Sequence, residues 1–303
     1  MIKLSIITIN YNDVEGLRKT LASVAAQTYA NIQHVIVDGN SSDNSKNIIL
    51  YYAEKTKNPN HEILWISEPD KGIYNAMNKG IRMATGDYIQ ILNSGDLLAS
   101  NNVTERMMAA LAAQCAEAKG LENGEADTCA SRLSPLASRL ENCPAIFYGN
   151  MTKVNAAGQI VGKSGYTEYS LRQFYSSTLN HDCAYIRADL FDEYGLYDEN
   201  LKIVSDWKWY LQAIGLGRVK PEYVDIDVTI FDDGGISETN LELRNKERRQ
   251  VLEELLPPAV LWDYDQHAFE MEQMNRLRRW HLYPLVYFME RVLFKLEKWG
   301  ILG

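Results

Sequence analysis

The first 96 residues alternate short β-rich apolar runs with stretches of helical periodicity. Leu17, Leu21 and Val24, for example, recur at the spacing of one helix face. This alternation predicts an α/β fold with a mostly parallel sheet and crossover helices. The four predicted strands cover residues 4–9, 33–37, 63–67 and 88–92.

A polar turn follows each predicted strand where the strand ends. Asp38 follows the second strand, Glu68 and Asp70 follow the third, and Asp96 follows the fourth. The carboxyl ends of parallel strands meet at one edge, so we expect these carboxylates to line the crevice where open α/β sheets bind ligands. Such a crevice suits phosphates only when a divalent cation bridges carboxylate and phosphate oxygens.

The fourth strand ends abruptly in the turn Asn93-Ser94-Gly95-Asp96. All four residue types favour turns. Two interpretations stay open on these residues alone: a solvated carboxylate in a polar turn, or a ligand for a divalent metal bound to a nucleotide-sugar diphosphate.

Four segments in order resemble the successive signatures of family 2 glycosyltransferases. They read SIITINYN, VDGNSSDNS, SEPDKGIYNAMNKGI and GDYIQILNSGD. The resemblance covers residues 3–240 approximately. It is closest to bacterial enzymes of exopolysaccharide, colanic-acid and O-antigen synthesis. It implies the GT-A nucleotide-sugar fold, which is Rossmann-like. The family motif usually carries two carboxylates at the metal, whereas here Asn93 replaces the first, leaving Asp96 as the implied ligand of Mg²⁺ or Mn²⁺.

The resemblance also implies roles for the donor side of the site. Asp38 is placed against a uracil-type base, and Thr8 and Asn10 end the first strand beside it. Asp70 is expected at ribose or sugar hydroxyls and Lys71 at phosphate. The remaining donor-side candidates are Glu68, Arg82 and Asn93; a solvated helix face explains Arg82 equally well.

On the acceptor side, the resemblance implies that Asp206 is the catalytic base. From spacing alone, Ser205 or Asp206 could simply cap a helix. His181 is a candidate for the acceptor or diphosphate region, the alternative being a histidine bonded to a backbone carbonyl. Gly234 and Gly235 belong to a loop resembling one that can close over the donor.

The C-terminal part of the chain has a different character. We expect a GT-A domain at 1–240, with a nucleotide-binding half at 1–96, an acceptor half at 97–240 that holds an inserted loop at about 119–144, and a helical extension at 241–303. Residues 276–303 hold basic side chains interleaved with aromatic ones. Such a segment can lie in a membrane interface, or it can pack on its own domain or on a second subunit as a homodimer.

Composition excludes several classes of protein. The net charge of −9 argues against a nucleic-acid partner, because binding to phosphates needs a basic face.

The four cysteines of the sequence form no CxxC pair and are predicted to be free thiols in a reducing cytoplasm. They are Cys115, Cys129, Cys143 and Cys183. The first residues turn polar too early for a signal peptide, and no apolar run approaches the roughly 20 residues that span a bilayer.

The resemblance implies an inverting, metal-dependent hexosyl- or N-acetylhexosaminyltransferase of cell-surface polysaccharide biosynthesis. Its donor would be a nucleotide sugar, with UDP expected, and its acceptor a hydroxyl of a saccharide or lipid-linked saccharide. Two alternatives are a sugar-nucleotide nucleotidyltransferase, which usually needs a Gly-rich basic loop absent from residues 5–16, and a non-catalytic binding module.

Overall fold

The computed structural model describes residues 1–56, 61–121, 140–155, 157–232 and 240–298. The chain divides into two compact units, Met1–Arg248 and Arg249–Gly303. We describe each unit separately.

The first unit begins with the predicted alternation of strands and helices. Its first half contains β1 (Leu4–Asn10), α1 (Val14–Ala25), β2 (Ile32–Asp38), α2 (Ser45–Lys55), β3 (His61–Ser67), α3 (Ile73–Met83) and β4 (Tyr88–Ile91). Its second half contains β5 (Leu97–Leu98), α4 (Val103–Leu121), β6 (Ile146–Val154), β7 (Ile160–Lys163), α5 (Leu171–Ser176), β8 (Ala184–Arg187), α6 (Leu190–Glu193), α7 (Ser205–Tyr210) with a π-helical turn at Leu211–Leu216, and β9 (Pro221–Asp232). Helix α8 (Leu241–Leu255) starts in this unit.

One sheet runs through the first unit in the order β3-β2-β1-β4-β8-β6-β9-β5, with β7 beside β6. Strands β1 to β4 pair in parallel, and Asn10 lies opposite Asp38, which lies opposite Ser67. Antiparallel pairing of β4 with β8 and of β8 with β6 joins the second half. The predicted α/β class and the parallel pairing of the first four strands are therefore confirmed, and the second half makes the sheet mixed.

Helix α3 packs very closely on the sheet. A side chain at Gly80 would place its Cβ only 2.3 Å from Ile7 Cγ2 on β1. Met77 and Ile81 are buried on the same helix. Glycine thus lets the backbone of α3 approach β1, which fixes the first turn of α3 beside the carboxyl end of that strand.

The cysteine prediction is wrong for two residues. Cys115 on α4 and Cys143, just before β6, form a disulfide with their Cα atoms 4.4 Å apart, within the usual range for such bonds. The two residues are 28 positions apart, and the return of the chain beside α4 brings them together. Cys183 is a buried free thiol, and Cys129 lies outside the described residues.

The second unit is helical. It contains the end of α8, α9 (Pro258–Arg279) and α10 (Tyr283–Lys298). Arg249 on α8 bonds both carboxylate oxygens of Asp265 on α9, at 2.8 and 2.9 Å. No helix in the described ranges is long and apolar enough to cross a membrane.

The division between the two units falls after Arg248, whereas the predicted boundary lies at residue 240. Most of the predicted insertion at 119–144 lies outside the described residues.

Candidate active site

A cavity of about 1070 Å³ opens at the carboxyl ends of β1 and β4. The loop before α3 and the turn after β4 form two of its walls. Seven residues predicted from the sequence line this cavity: Asn10, Asp70, Lys71, Asn93, Asp96, His181 and Asp206. Residues far apart in the chain thus meet at the predicted edge of the sheet.

Two neighbours hold the Asp206 carboxylate in place. Tyr74 on α3 donates its hydroxyl to Asp206 Oδ1 at 2.7 Å, and His181 Nδ1 lies 3.4 Å from Asp206 Oδ2. The N-cap of α7 is Val204, and it makes no side-chain capping bond. Neither Ser205 nor Asp206 is therefore the N-cap, and the Asp206 side chain reaches the cavity from the first turn of α7.

The Asp206–His181 pair is charged at neutral pH. Burial acts to raise the pKa of Asp206, but the hydrogen bond and charge of His181, with the bond from Tyr74, lower it below its ordinary value. Burial acts to lower the pKa of His181, but the hydrogen bond and charge of Asp206, with the charges of Asp182 and Asp96, raise it to about 9. Burial and the adjacent Asp206 charge raise the pKa of Tyr74 well above its usual value, so Tyr74 stays a donor.

His181 also reaches the turn after β4. The Asn93 amide nitrogen lies 3.2 Å from His181 Nε2, and Asn93 Oδ1 is buried without a hydrogen-bond partner. Because both ring nitrogens of the imidazolium donate, the Asn93 amide is assigned with Oδ1 towards Nε2, so one lone pair of that oxygen accepts from His181 and the second is left for a cation. His181 thus contacts Asp206 through Nδ1 and Asn93 through Nε2. Both contacts support the predicted place of His181 in the site.

The turn 93–96 is anchored to its surroundings through its backbone. Thr20 on α1 donates its hydroxyl to the Asp96 carbonyl at 2.8 Å and accepts from Gly95 N at 3.0 Å. Gly95 has a φ of 99°, which glycine adopts without strain. The Asp96 side chain is 5% exposed and lines the cavity, so the turn presents a carboxylate at a fixed position.

The chemistry of this turn fits a hard divalent cation held partly by substrate. Asp96 offers carboxylate oxygen, and Asn93 offers an amide oxygen beside it. Among the residues that the structure describes, no three His, Cys, Asp or Glu side chains group as a metal site. Mg²⁺ commonly binds one or two protein carboxylates together with phosphate oxygens and water, and the residues present satisfy that requirement.

Four predicted donor residues do not line the cavity. Asp38 is fully buried and accepts hydrogen bonds from Asn10, Ser41 and Ser67, so its carboxylate organises the ends of three strands. Thr8 is also buried, 3.0 Å from His34 Nε2. Glu68 pairs with Lys79, and Arg82 lies 4.0 Å from Glu199 on an exposed helix face. Gly234 and Gly235 lie outside the described residues.

Of the lining residues that were not predicted as site residues, Tyr74, Tyr11 and Lys202 bear most directly on the chemistry. Tyr74 stands in the quoted GIYNAMNKG segment, where the helical pattern alone gives it a packing role. Tyr11, 70% exposed, and the exposed Lys202 also line the cavity. Lys71 and Lys202 therefore bring positive charge to a cavity that also holds several carboxylates.

The start of α8 holds the segment that precedes Asp206. Glu247 is buried and accepts from the backbone nitrogens of Lys202 and Ile203 at 2.8 and 2.9 Å. The Arg248 guanidinium lies 5.0 Å from the ring centre of Trp207. The contacted residues Lys202, Ile203 and Trp207 lie on both sides of Asp206 in the sequence. The contacts therefore restrain the chain before and after Asp206.

Solved structures define the class of fold. The chain resembles Staphylococcus aureus TarS 1–349 in complex with UDP-GlcNAc, with a TM-score of 0.58, 17% identity, and coverage of 83% of this chain and 64% of that chain. It also resembles the mannosyltransferase PcManGT from Pyrobaculum calidifontis in complex with GDP-Man and Mn²⁺, with a TM-score of 0.54, 15% identity, and coverage of 84% and 64%. The fold is that of the GT-A glycosyltransferases, and the match spans less than two thirds of either structure.

Sequence comparison points to glycosyltransferases. Residues 5–118 match the family model described as Glycosyl transferase family 2. An uncharacterized glycosyltransferase of Mycobacterium tuberculosis is 27% identical over 69% of this chain and 68% of its own length. A PGL/p-HBAD biosynthesis glycosyltransferase of the same species is 24% identical over 78% of this chain and 79% of its own.

Proposed function

We propose that the protein is an inverting glycosyltransferase that moves a sugar from a UDP-sugar to an acceptor hydroxyl. The observation that carries the proposal is the position of Asp206, held by Tyr74 and His181 in the same cavity as Asp96. The fold it shares with proteins bound to UDP-GlcNAc and GDP-Man supports a nucleotide-sugar donor.

Asp206 acts as the base in this proposal. The acceptor oxygen attacks the anomeric carbon from the face opposite the diphosphate, the C–O bond to the phosphate breaks, and the hydroxyl proton passes to Asp206. A carboxylate is a far weaker base than an alkoxide, so proton transfer accompanies attack. The low pKa of Asp206 keeps it ionised, and its bonds to Tyr74 and His181 orient its oxygens.

The diphosphate leaves with growing negative charge. Lys71 and Lys202 lie at the cavity wall and offset part of that charge. A bound Mg²⁺ or Mn²⁺ would supply Lewis-acid stabilisation of the leaving group. Asp96 would hold the cation and Asn93 would assist it with its amide oxygen.

We assign the nucleotide to the wall formed by the ends of β1 and β2. Tyr11 presents an exposed ring on which a base can pack, since aromatic rings stack on nucleobases. Asn10 lines the cavity while its amide bonds Asp38, so Asp38 acts on the nucleotide through Asn10. Asp70 is placed at the donor sugar.

Several parts of the proposal stay predictions. They are the hexosyl or N-acetylhexosaminyl class of sugar, the saccharide or lipid-linked acceptor, the pathway in cell-surface polysaccharide biosynthesis, the cytoplasmic location and the homodimer. The roles of Thr8, Glu68, Arg82, Gly234 and Gly235 are also predictions.

The function is tested by incubating the protein with UDP- and GDP-sugars, Mn²⁺ and saccharide acceptors. We expect nucleoside diphosphate release that depends on one donor and stops with EDTA, and product of inverted anomeric configuration by NMR. Pyrophosphate release from UTP and a sugar phosphate would instead identify a nucleotidyltransferase. Donor binding without turnover for every donor and acceptor would overturn the proposed activity.

Removal of the Tyr74 hydroxyl tests how the base is positioned. Tyr74→Phe is expected to lower kcat about 10- to 100-fold with little change in donor KM, since a hydrogen bond to a charged group is worth ~1.5–3 kcal/mol. The Tyr74 bond lowers the pKa of Asp206, so its loss should raise that pKa and move the acid limb of the kcat/KM profile to higher pH. A purely structural role would not move this limb.

The matched control is Tyr197→Phe. The Tyr197 hydroxyl is buried and has no hydrogen-bond partner among the residues that the structure describes, and its ring lies 5.7 Å from that of Tyr74. Its removal should leave the acid limb in place. Equal shifts in the two variants would contradict the positioning role.

A further inference from the structure

Helix α10 presents a continuous row of exposed apolar side chains. We call Leu285, Phe288, Met289 and Val292 the α10 apolar face, and their exposed fractions are 56%, 65%, 54% and 39%. The spacing i, i+3, i+4, i+7 places them on one side of the helix. No residue of α10 is buried, so the described residues of the second unit leave this face uncovered.

Exposed aromatic side chains lie outside this face. Trp280, just before α10, is 67% exposed, and Tyr287 and Phe294, on the side of α10 opposite the α10 apolar face, are 51% and 67% exposed. Arg278 lies over the ring of Tyr283 and Arg291 over that of Tyr287, at 5.1 and 5.9 Å from the ring centres. Aromatic rings and arginine side chains combine an apolar body with a polar end, which suits the boundary between hydrocarbon and water.

The charge of this segment is opposite to that of the whole chain. Residues 276–298 carry an excess of four positive charges, whereas the chain has a net charge of −9. Arg291, Lys295 and Lys298 follow one another at helical spacing and form a basic row along one edge of the α10 apolar face. The basic side chains of the segment are Arg276, Arg278, Arg279, Arg291, Lys295 and Lys298, against Glu290 and Glu297.

We propose that α10 binds the surface of a bilayer that contains anionic phospholipids. The helix would lie parallel to the membrane, with the α10 apolar face among the acyl chains and the basic row at the headgroups. Its 16 residues are too few for a spanning helix.

The positive charge of residues 276–298 favours an anionic lipid surface, rather than a second copy of the chain, as the partner of the α10 apolar face. Two copies joined through α10 would bring two positively charged segments together, and like charges facing each other oppose association. An anionic surface attracts the same segment. The proposal does not depend on glycosyl transfer, so its failure and that of the proposed function are distinguishable.

Vesicle sedimentation of the full chain tests the proposal. We expect binding to vesicles of phosphatidylcholine mixed with phosphatidylglycerol, weaker binding to phosphatidylcholine alone, and loss of the difference at high salt. Phe288→Ser/Val292→Ser should weaken binding about tenfold or more because it removes buried apolar area. Arg291→Glu/Lys295→Glu should weaken binding to the anionic vesicles by a similar factor.

Trp262→Ser is the matched apolar control. Trp262 lies on α9 and is 63% exposed, and its replacement should leave vesicle binding unchanged. Circular dichroism checks that each variant is folded. Absence of binding to anionic vesicles, or equal binding by the Phe288→Ser/Val292→Ser variant, would overturn the proposal. Dimerisation without vesicle binding, lost in that variant, would assign the face to a second copy instead.

Discussion

Asp206→Asn is expected to reduce kcat for sugar transfer by about 10²- to 10⁴-fold, the range that general-base catalysis contributes. The amide is nearly isosteric with the carboxylate and can still accept the Tyr74 hydroxyl, so the cavity should keep its shape. Donor affinity should therefore change by less than about threefold, which is well below one hydrogen bond to a charged group. Single-turnover transfer assays and calorimetric titration with UDP measure the two quantities separately.

Asp192→Asn provides the control for loss of one carboxylate. Asp192 is exposed on α6 and does not line the cavity, so this variant should transfer sugar at the unmodified rate. Turnover within about tenfold of normal in Asp206→Asn would show that another group takes the proton. Loss of donor binding together with turnover would mean that Asp206 acts on the donor.

Asp96→Asn is expected to lower kcat/KM at saturating Mn²⁺ by about 100-fold or more, because a Lewis acid supplies several kcal/mol of transition-state stabilisation. The turn should survive, since the Asp96 backbone nitrogen and carbonyl make bonds to Asn93 and Thr20. Mn²⁺ binding in the presence of UDP, followed by electron paramagnetic resonance, should weaken about tenfold or more in parallel.

Asn93→Asp tests the same site in the opposite direction. A carboxylate has two equivalent oxygens, so one can accept from His181 while the other faces the cation. We expect tighter Mn²⁺ binding in the presence of UDP, with a lower Mn²⁺ concentration needed for half-maximal activity. Unchanged Mn²⁺ affinity in both the Asp96 and the Asn93 variants would remove the turn from the metal site.

The alternating strands and helices of the first 96 residues could be predicted from the sequence because their signals are local. Strands β1 and β2 are short apolar runs that end in turn-forming residues, and α1 repeats Leu17, Leu21 and Val24 on one face. The antiparallel pairing of β4 with β8 joins Tyr88 to Arg187. That pairing depends on tertiary contacts across about a hundred residues and has no local signal.

The sequence predicted the edge of the sheet at which the cavity lies, but not which of the side chains there face the cavity. Sequence pattern placed carboxylates at strand ends, but it could not distinguish Asp38, whose oxygens are used by neighbouring side chains, from Asp96, which reaches the cavity. The Tyr74–Asp206 bond joins residues 132 positions apart. Periodicity gives Tyr74 only a buried helical position, and its role depends on where α7 lies in the folded chain.

The contacts of Glu247 and Arg248 have a consequence for any redesign of this chain. A catalytic fragment ended at residue 240, the boundary expected from the sequence, would lose the carboxylate that accepts from Lys202 and Ile203 and the guanidinium that lies over Trp207. A cut after Arg248 keeps both. The first two turns of α8 therefore have to be kept with the first unit in any shortened version of the protein.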